Sequence, residues 1–83
     1  MKVTLYSTDT SKNSQLLKNY FIEKKIPFLE KQINRNEFFQ GELTKVTAGF
    51  LGVPVVLIQK NNDSSQIVLG FDKGKINSIL GIN

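Results

Sequence analysis

Val53-Pro54-Val55-Val56-Leu57-Ile58 is the most hydrophobic stretch of this 83-residue chain. Its length and branched side chains predict a central strand, buried on both faces and beginning at Pro54, since proline without its N–H is tolerated at a strand's first position. The polar Lys60-Asn61-Asn62-Asp63-Ser64 that follows suits a hairpin turn, and Ser65 to Leu69 makes the returning strand. Upstream, Val3 to Tyr6 forms a β-branched and aromatic run bounded by Ser7-Thr8-Asp9-Thr10-Ser11, a strand and then a turn. From Ser11 to about Lys25 the spacing becomes helical, with Leu16, Leu17, Tyr20, Phe21 and Lys24 recurring at i, i+3, i+4. Ser11 is a natural N-cap, and the helix must end before Pro27.

Roughly Pro27 to Ile33 reads as a second strand and Asn34-Arg35-Asn36 as a turn with Asn36 as cap. A helix to about Ala48 carries Phe39, Leu43 and Val46 at i, i+4, i+7, is weakened by Gly41, and stops at a left-handed Gly49. Phe38 and Phe39 are adjacent, so one of them must face outward; Phe38 facing outward would mark a partner surface. Gly70-Phe71-Asp72 leads into a last helix to about Leu80, with Ile76, Ile79 and Leu80 covering one face of the sheet. The order β-α-β-α-β-β-α is an α/β arrangement. One right-handed βαβ unit followed by a hairpin and a helix gives a four-stranded mixed sheet flanked by three helices, strands ordered second, first, third, fourth.

Eighty-three residues make a single domain, 1–83. The chain has no cysteine and no histidine, which removes the disulfide framework, the Cys/His zinc site, the thiolate nucleophile and the Ser-His-Asp triad. No metal is expected. Net charge is +4, but the basic residues are dispersed, with Lys24-Lys25 the one adjacent pair, which argues against nucleic acid. No apolar run approaches a membrane span, and Met1-Lys2-Val3-Thr4-Leu5-Tyr6 lacks the pattern of a signal peptide. The expectation is a cytoplasmic monomer.

The order of elements, the strand-turn-helix at the start and the Val-Pro opening the third strand resemble the glutaredoxin branch of the thioredoxin fold. Tyr6-Ser7-Thr8-Asp9-Thr10 stands where small glutaredoxins place the loop into their Cys-x-x-Cys. Gly52-Val53-Pro54-Val55-Val56 looks like the loop with the family's cis proline, and Gly70-Phe71-Asp72-Lys73 like the glycine turn before the last helix. Ala48-Gly49-Phe50 and Gly70-Phe71 are similar to the glutaredoxin-like redoxins that reduce ribonucleotide reductase. The likeness runs from Val3 to Leu80. It departs where the family has Cys-x-x-Cys: here stand Ser11-Lys12-Asn13-Ser14. Family chemistry needs a thiolate, and a serine hydroxyl neither forms nor exchanges a disulfide; the chain has no histidine to activate it as general base.

The resemblance implies a groove made of Ser11, Lys12, Asn13, Ser14, Val53, Pro54, Gly70, Phe71 and Asp72. Free amides at the helix start and the Lys12 ammonium favour a carboxylate or phosphate. Val53, before a cis proline, would pair with an extended peptide, and the Gly70 backbone with Asp72 would meet the far carboxylate of glutathione. Phe71 is a core residue or a groove wall, and Phe50 is read the same way. The basic residue that the family places upstream of its first cysteine is missing, with Thr8 and Asp9 in its place, and Asp9 would oppose an anion. Ser11 and Ser14 also have a plainer reading as helix-start polar residues without catalytic role.

Three function classes follow. The first is a cysteine-free glutaredoxin-like protein binding a peptide, a glutathione-like anion or a protein partner, with no resident cofactor and weak glutathione affinity. The second is a Cys-to-Ser form of a thiol-disulfide oxidoreductase serving cell redox homeostasis or ribonucleotide reductase; the middle pair Lys12-Asn13 argues against a deliberate exchange of sulfurs. The third is a small phosphate- or nucleic-acid-binding domain.

Overall fold

The chain is described here from a computed structural model covering residues 1–49, 52–60 and 64–82. Its elements are β1 (Lys2–Ser7), α1 (Lys12–Glu23), β2 (Leu29–Gln32), α2 (Glu37–Thr47), β3 (Val55–Gln59), β4 (Ser65–Leu69) and α3 (Lys73–Leu80). The sheet order is β2-β1-β3-β4. β1 pairs with β2 in parallel and with β3 antiparallel, and β3 pairs with β4 antiparallel. This is the mixed sheet that the alternation of elements predicts.

Strand alternation sorts the core into two layers. Val3 and Leu5 of β1, Val56 and Ile58 of β3 and Val68 of β4 pack against Leu17, Tyr20 and Phe21 of α1 and Ile76 of α3. The opposite face carries Tyr6 and Val55, covered by Leu43 of α2. Val55, Val56 and Ile58 are fully buried, as befits a strand with helices on both sides.

Element ends differ from the sequence reading by short, explicable steps. The first strand extends from Lys2 to Ser7. α1 ends at Glu23, and Lys25 takes a left-handed φ of 57° while the Ile26 N–H reaches back to the Phe21 carbonyl; the chain has turned before Pro27 is reached. The second strand loses Pro27 and Phe28, the latter packing on the core beside α1, although the Ile33 N–H still donates to the Ser7 carbonyl. β3 opens at Val55, one residue after Pro54. The left-handed turn at the end of α2 begins on Ala48 (φ 56°) and continues through Gly49 (φ 101°). Leu16 is exposed; the buried stripe of α1 is Ser14, Leu17, Tyr20 and Phe21. The hairpin closes with the Lys60 N–H on the Ser64 carbonyl, while the turn residues 61–63, and Phe50, lie outside the described residues.

Candidate functional site

The strand registers put the expected groove residues at one end of the sheet. Tyr6 near the end of β1 faces Val55 at the start of β3, Val55 faces Leu69 at the end of β4, and Ser7 faces Gln32 at the end of β2. The segments leaving those ends are Thr8 to Ser11, Val53–Pro54 and Gly70–Asp72. The Gly70 N–H donates to the Pro54 carbonyl at 2.8 Å, which ties two of the three together. The Val53–Pro54 peptide bond is cis.

All three helices begin at this end, and their caps differ chemically. Ser11 Oγ accepts from the Ser14 N–H at 3.2 Å, Asn36 Oδ1 from the Phe38 N–H at 2.8 Å, and Asp72 Oδ1 from the Lys75 N–H at 3.1 Å. α2 also carries Glu37 in its first turn, whereas α1 has no acidic residue there. Hence α3 already has a carboxylate on its free amides, and α1 has only a neutral hydroxyl. Asp72 is therefore a helix cap in this structure. Phe71 is half-buried, packs on the core beside α3, and has Lys73 Nζ 5.5 Å from its ring centroid.

Ser11 is partly exposed, and Lys12 and Asn13 are exposed. Ser14 is 1% exposed, and its Oγ has no hydrogen-bond partner. The two serines at the positions of the resemblance thus differ in kind: one caps at the surface, the other points a polar atom into the interior without satisfying it.

Asp9 does not stand as a bare charge. Arg35 binds its carboxylate through both Nε and Nη2, and Asn34 Nδ2 donates to it at 2.5 Å. The Arg35 and Asn34 hydrogen bonds hold its carboxyl below the ordinary aspartate range. The expected repulsion of an anion by Asp9 is thereby reduced, since Arg35 brings a compensating positive charge to the same end. Nothing in the local sequence signals this pair; the parallel β1–β2 pairing brings the residues together.

Two further polar contacts brace this end. Ser7 Oγ donates to Glu30 Oε2 at 2.9 Å, and Lys18 binds the other oxygen of Glu30 at 3.0 Å. Burial pushes the Glu30 carboxyl up, but the Lys18 and Ser7 hydrogen bonds outweigh it and leave the group below its usual range. On the α2 face, the Tyr6 hydroxyl donates to Glu42 Oε2 at 2.8 Å, and Lys31 Nζ lies 2.6 Å from the same oxygen. Burial, reinforced by Glu42, raises the Tyr6 phenol well above its ordinary value.

Two surface cavities open nearby: one of about 350 Å³ reaching Thr8, Arg35 and Gln40, the other of about 380 Å³ reaching Thr47, Leu69 and Asp72. Ser11, Lys12 and Val53 line neither. Among the described residues no group of three or more Asp, Glu, His or Cys could hold a metal, and no helix is long and apolar enough to cross a membrane.

No protein-family profile matches the chain, and no curated protein matches it in sequence. Solved structures do. A mutant of the thioredoxin-like protein BC3987 superposes with a TM-score of 0.83 at 17% identity, covering 99% of this chain and 97% of that one. The glutaredoxin of Archaeoglobus fulgidus superposes with a TM-score of 0.75 at 20% identity, covering 95% of this chain and 85% of that one. The fold is thioredoxin-like, and it is carried by a chain without cysteine.

Proposed function

We propose that this domain binds an extended peptide or a glutathione-like carboxylate at the α1 end of the sheet and performs no thiol-disulfide turnover. The observation that carries this reading is the α1 N-terminus. It is the one helix start among the described residues with no carboxylate in its cap or first turn, and it carries the exposed Lys12 ammonium. Such an end favours an anion. Val53 beside Pro54 supplies backbone for a strand-like contact, as in peptide recognition by strand addition. With serine oxygen in place of sulfur at positions 11 and 14, no mixed disulfide can anchor the ligand, so affinity is low, in the millimolar range or about −4 kcal/mol. The same reading takes the domain as a cytoplasmic monomer without a resident cofactor.

Saturation-transfer NMR with reduced glutathione tests it. Transfer is expected with a Kd of a few millimolar, weakened several-fold in K12E; absence of transfer would overturn the reading.

One observation favours a second reading, the serine form of a thiol-disulfide oxidoreductase. A buried hydroxyl without a partner is costly where a thiol, a weak donor that behaves as a small apolar group, is not, and Ser14 Oγ is such a hydroxyl. Under this reading Ser11→Cys together with Ser14→Cys creates turnover of a glutathione mixed disulfide; an inert double variant that still binds glutathione leaves the first reading standing.

A further inference from the structure

The opposite end of the sheet carries a feature that the groove does not use. Two cavities, of about 310 and 240 Å³, lie side by side there and share Met1, Val3 and Pro27 as a common wall. The larger is closed by Ile26, Leu80 and Ile82, the smaller by Phe28 and Leu29. Together they form one apolar trough across the start of β1, between the C-terminal ends of α1 and α3 and the entry to β2. Met1 and Leu29 remain 67% and 47% exposed beside it.

The charges on this trough are all of one sign. Lys24 and Lys25 line the larger cavity and Lys2 the smaller, and no acidic side chain among the described residues lines either. A cationic rim around an apolar floor selects an occupant that is apolar and acidic at once. The distribution narrows the choice further. Because lysines line both cavities, a single-headed amphiphile would meet one cavity's lysine and leave the other's unpaired. Two adjoining pits suit separate side chains better than a flat lipid surface does.

We infer that this trough docks a segment of a partner protein in which apolar side chains are flanked on both sides by carboxylates. The apolar side chains fill the two cavities, and the flanking carboxylates meet Lys2 beside the smaller cavity and Lys24 and Lys25 beside the larger. The site is separate from the groove at the α1 N-terminus, so both can be occupied together.

The probe is a synthetic peptide with two leucines and a phenylalanine between two pairs of glutamates, titrated into the ¹⁵N-labelled full chain at low and at physiological salt. Expected are shifts concentrated on the amides of Val3, Ile26, Phe28, Leu29 and Ile82, a Kd below about 1 mM, and weakening as salt rises. The combined variant Lys2→Glu, Lys24→Glu and Lys25→Glu should weaken binding at least tenfold, while its unchanged amide spectrum away from the trough certifies the fold. Equal binding of a peptide with lysines in place of the glutamates would overturn the proposal. So would shifts centred elsewhere, or tighter association with phosphatidylglycerol vesicles or dodecanoate than with the peptide.

Discussion

Ser11 and Ser14 stand three residues apart in the chain and do opposite things for stability. Ser11 Oγ accepts from the Ser14 amide and offsets one free donor of the first turn. Ser14 Oγ is buried with no partner, which costs about 1–3 kcal/mol in unmet hydrogen bonding. Ser11→Ala is therefore expected to destabilise by about 1 kcal/mol, and Ser14→Ala to stabilise by a similar amount, because it removes the hydroxyl and leaves the backbone amide that Ser11 receives. Urea denaturation of the two variants measures both; a destabilised Ser14→Ala would mean that its hydroxyl is satisfied in solution. The burial of Ser14 is invisible to a reading of apolar periodicity. It lies on the inward stripe three residues before Leu17, and only its register with that residue marks it.

Among the elements, α2 carries a glycine in mid-helix. Gly41 sits in its middle with open space where a Cβ would point. Glycine there forgoes up to about 1 kcal/mol relative to alanine, so Gly41→Ala should raise the denaturation midpoint without moving the groove. A drop in stability would indicate that α2 needs flexibility at that turn. The elements themselves were legible because each carries its own signal: branched residues in β3, polar residues between β3 and β4, caps at Ser11 and Asn36. Their ends were less so. Phe28 reads as strand by type, yet its ring packs 5.3 Å from that of Phe21, and that tertiary contact outweighs its propensity. Phe38 is 86% exposed while Phe39 is half-buried, in keeping with Phe39's place on the stripe with Leu43 and Val46. The residues proposed for the groove rest on resemblance, whereas the partners that modify them do not follow from it. Arg35 on Asp9 and Lys31 on Glu42 are contacts between segments distant in sequence, set by how β1 and β2 align.

At the scale of the whole molecule, the sheet separates two kinds of surface. One end gathers the helix N-termini, polar caps and the Gly70–Pro54 contact; the other holds an apolar trough with a lysine rim. The fold needs no sulfur, because its core of valine, leucine, isoleucine and aromatic side chains is built from both faces of β1 and β3. Under the proposed function, the absence of cysteine removes a covalent step and leaves a groove that binds without one. The most direct measurement is a ¹⁵N NMR titration with glutathione up to about 20 mM, several times the expected dissociation constant. Expected from the proposed binding are saturable shifts of the amides of Ser11, Lys12, Asn13, Ser14, Val53 and Phe71 moving together. Shifts confined to other residues, or none at that concentration, would contradict it.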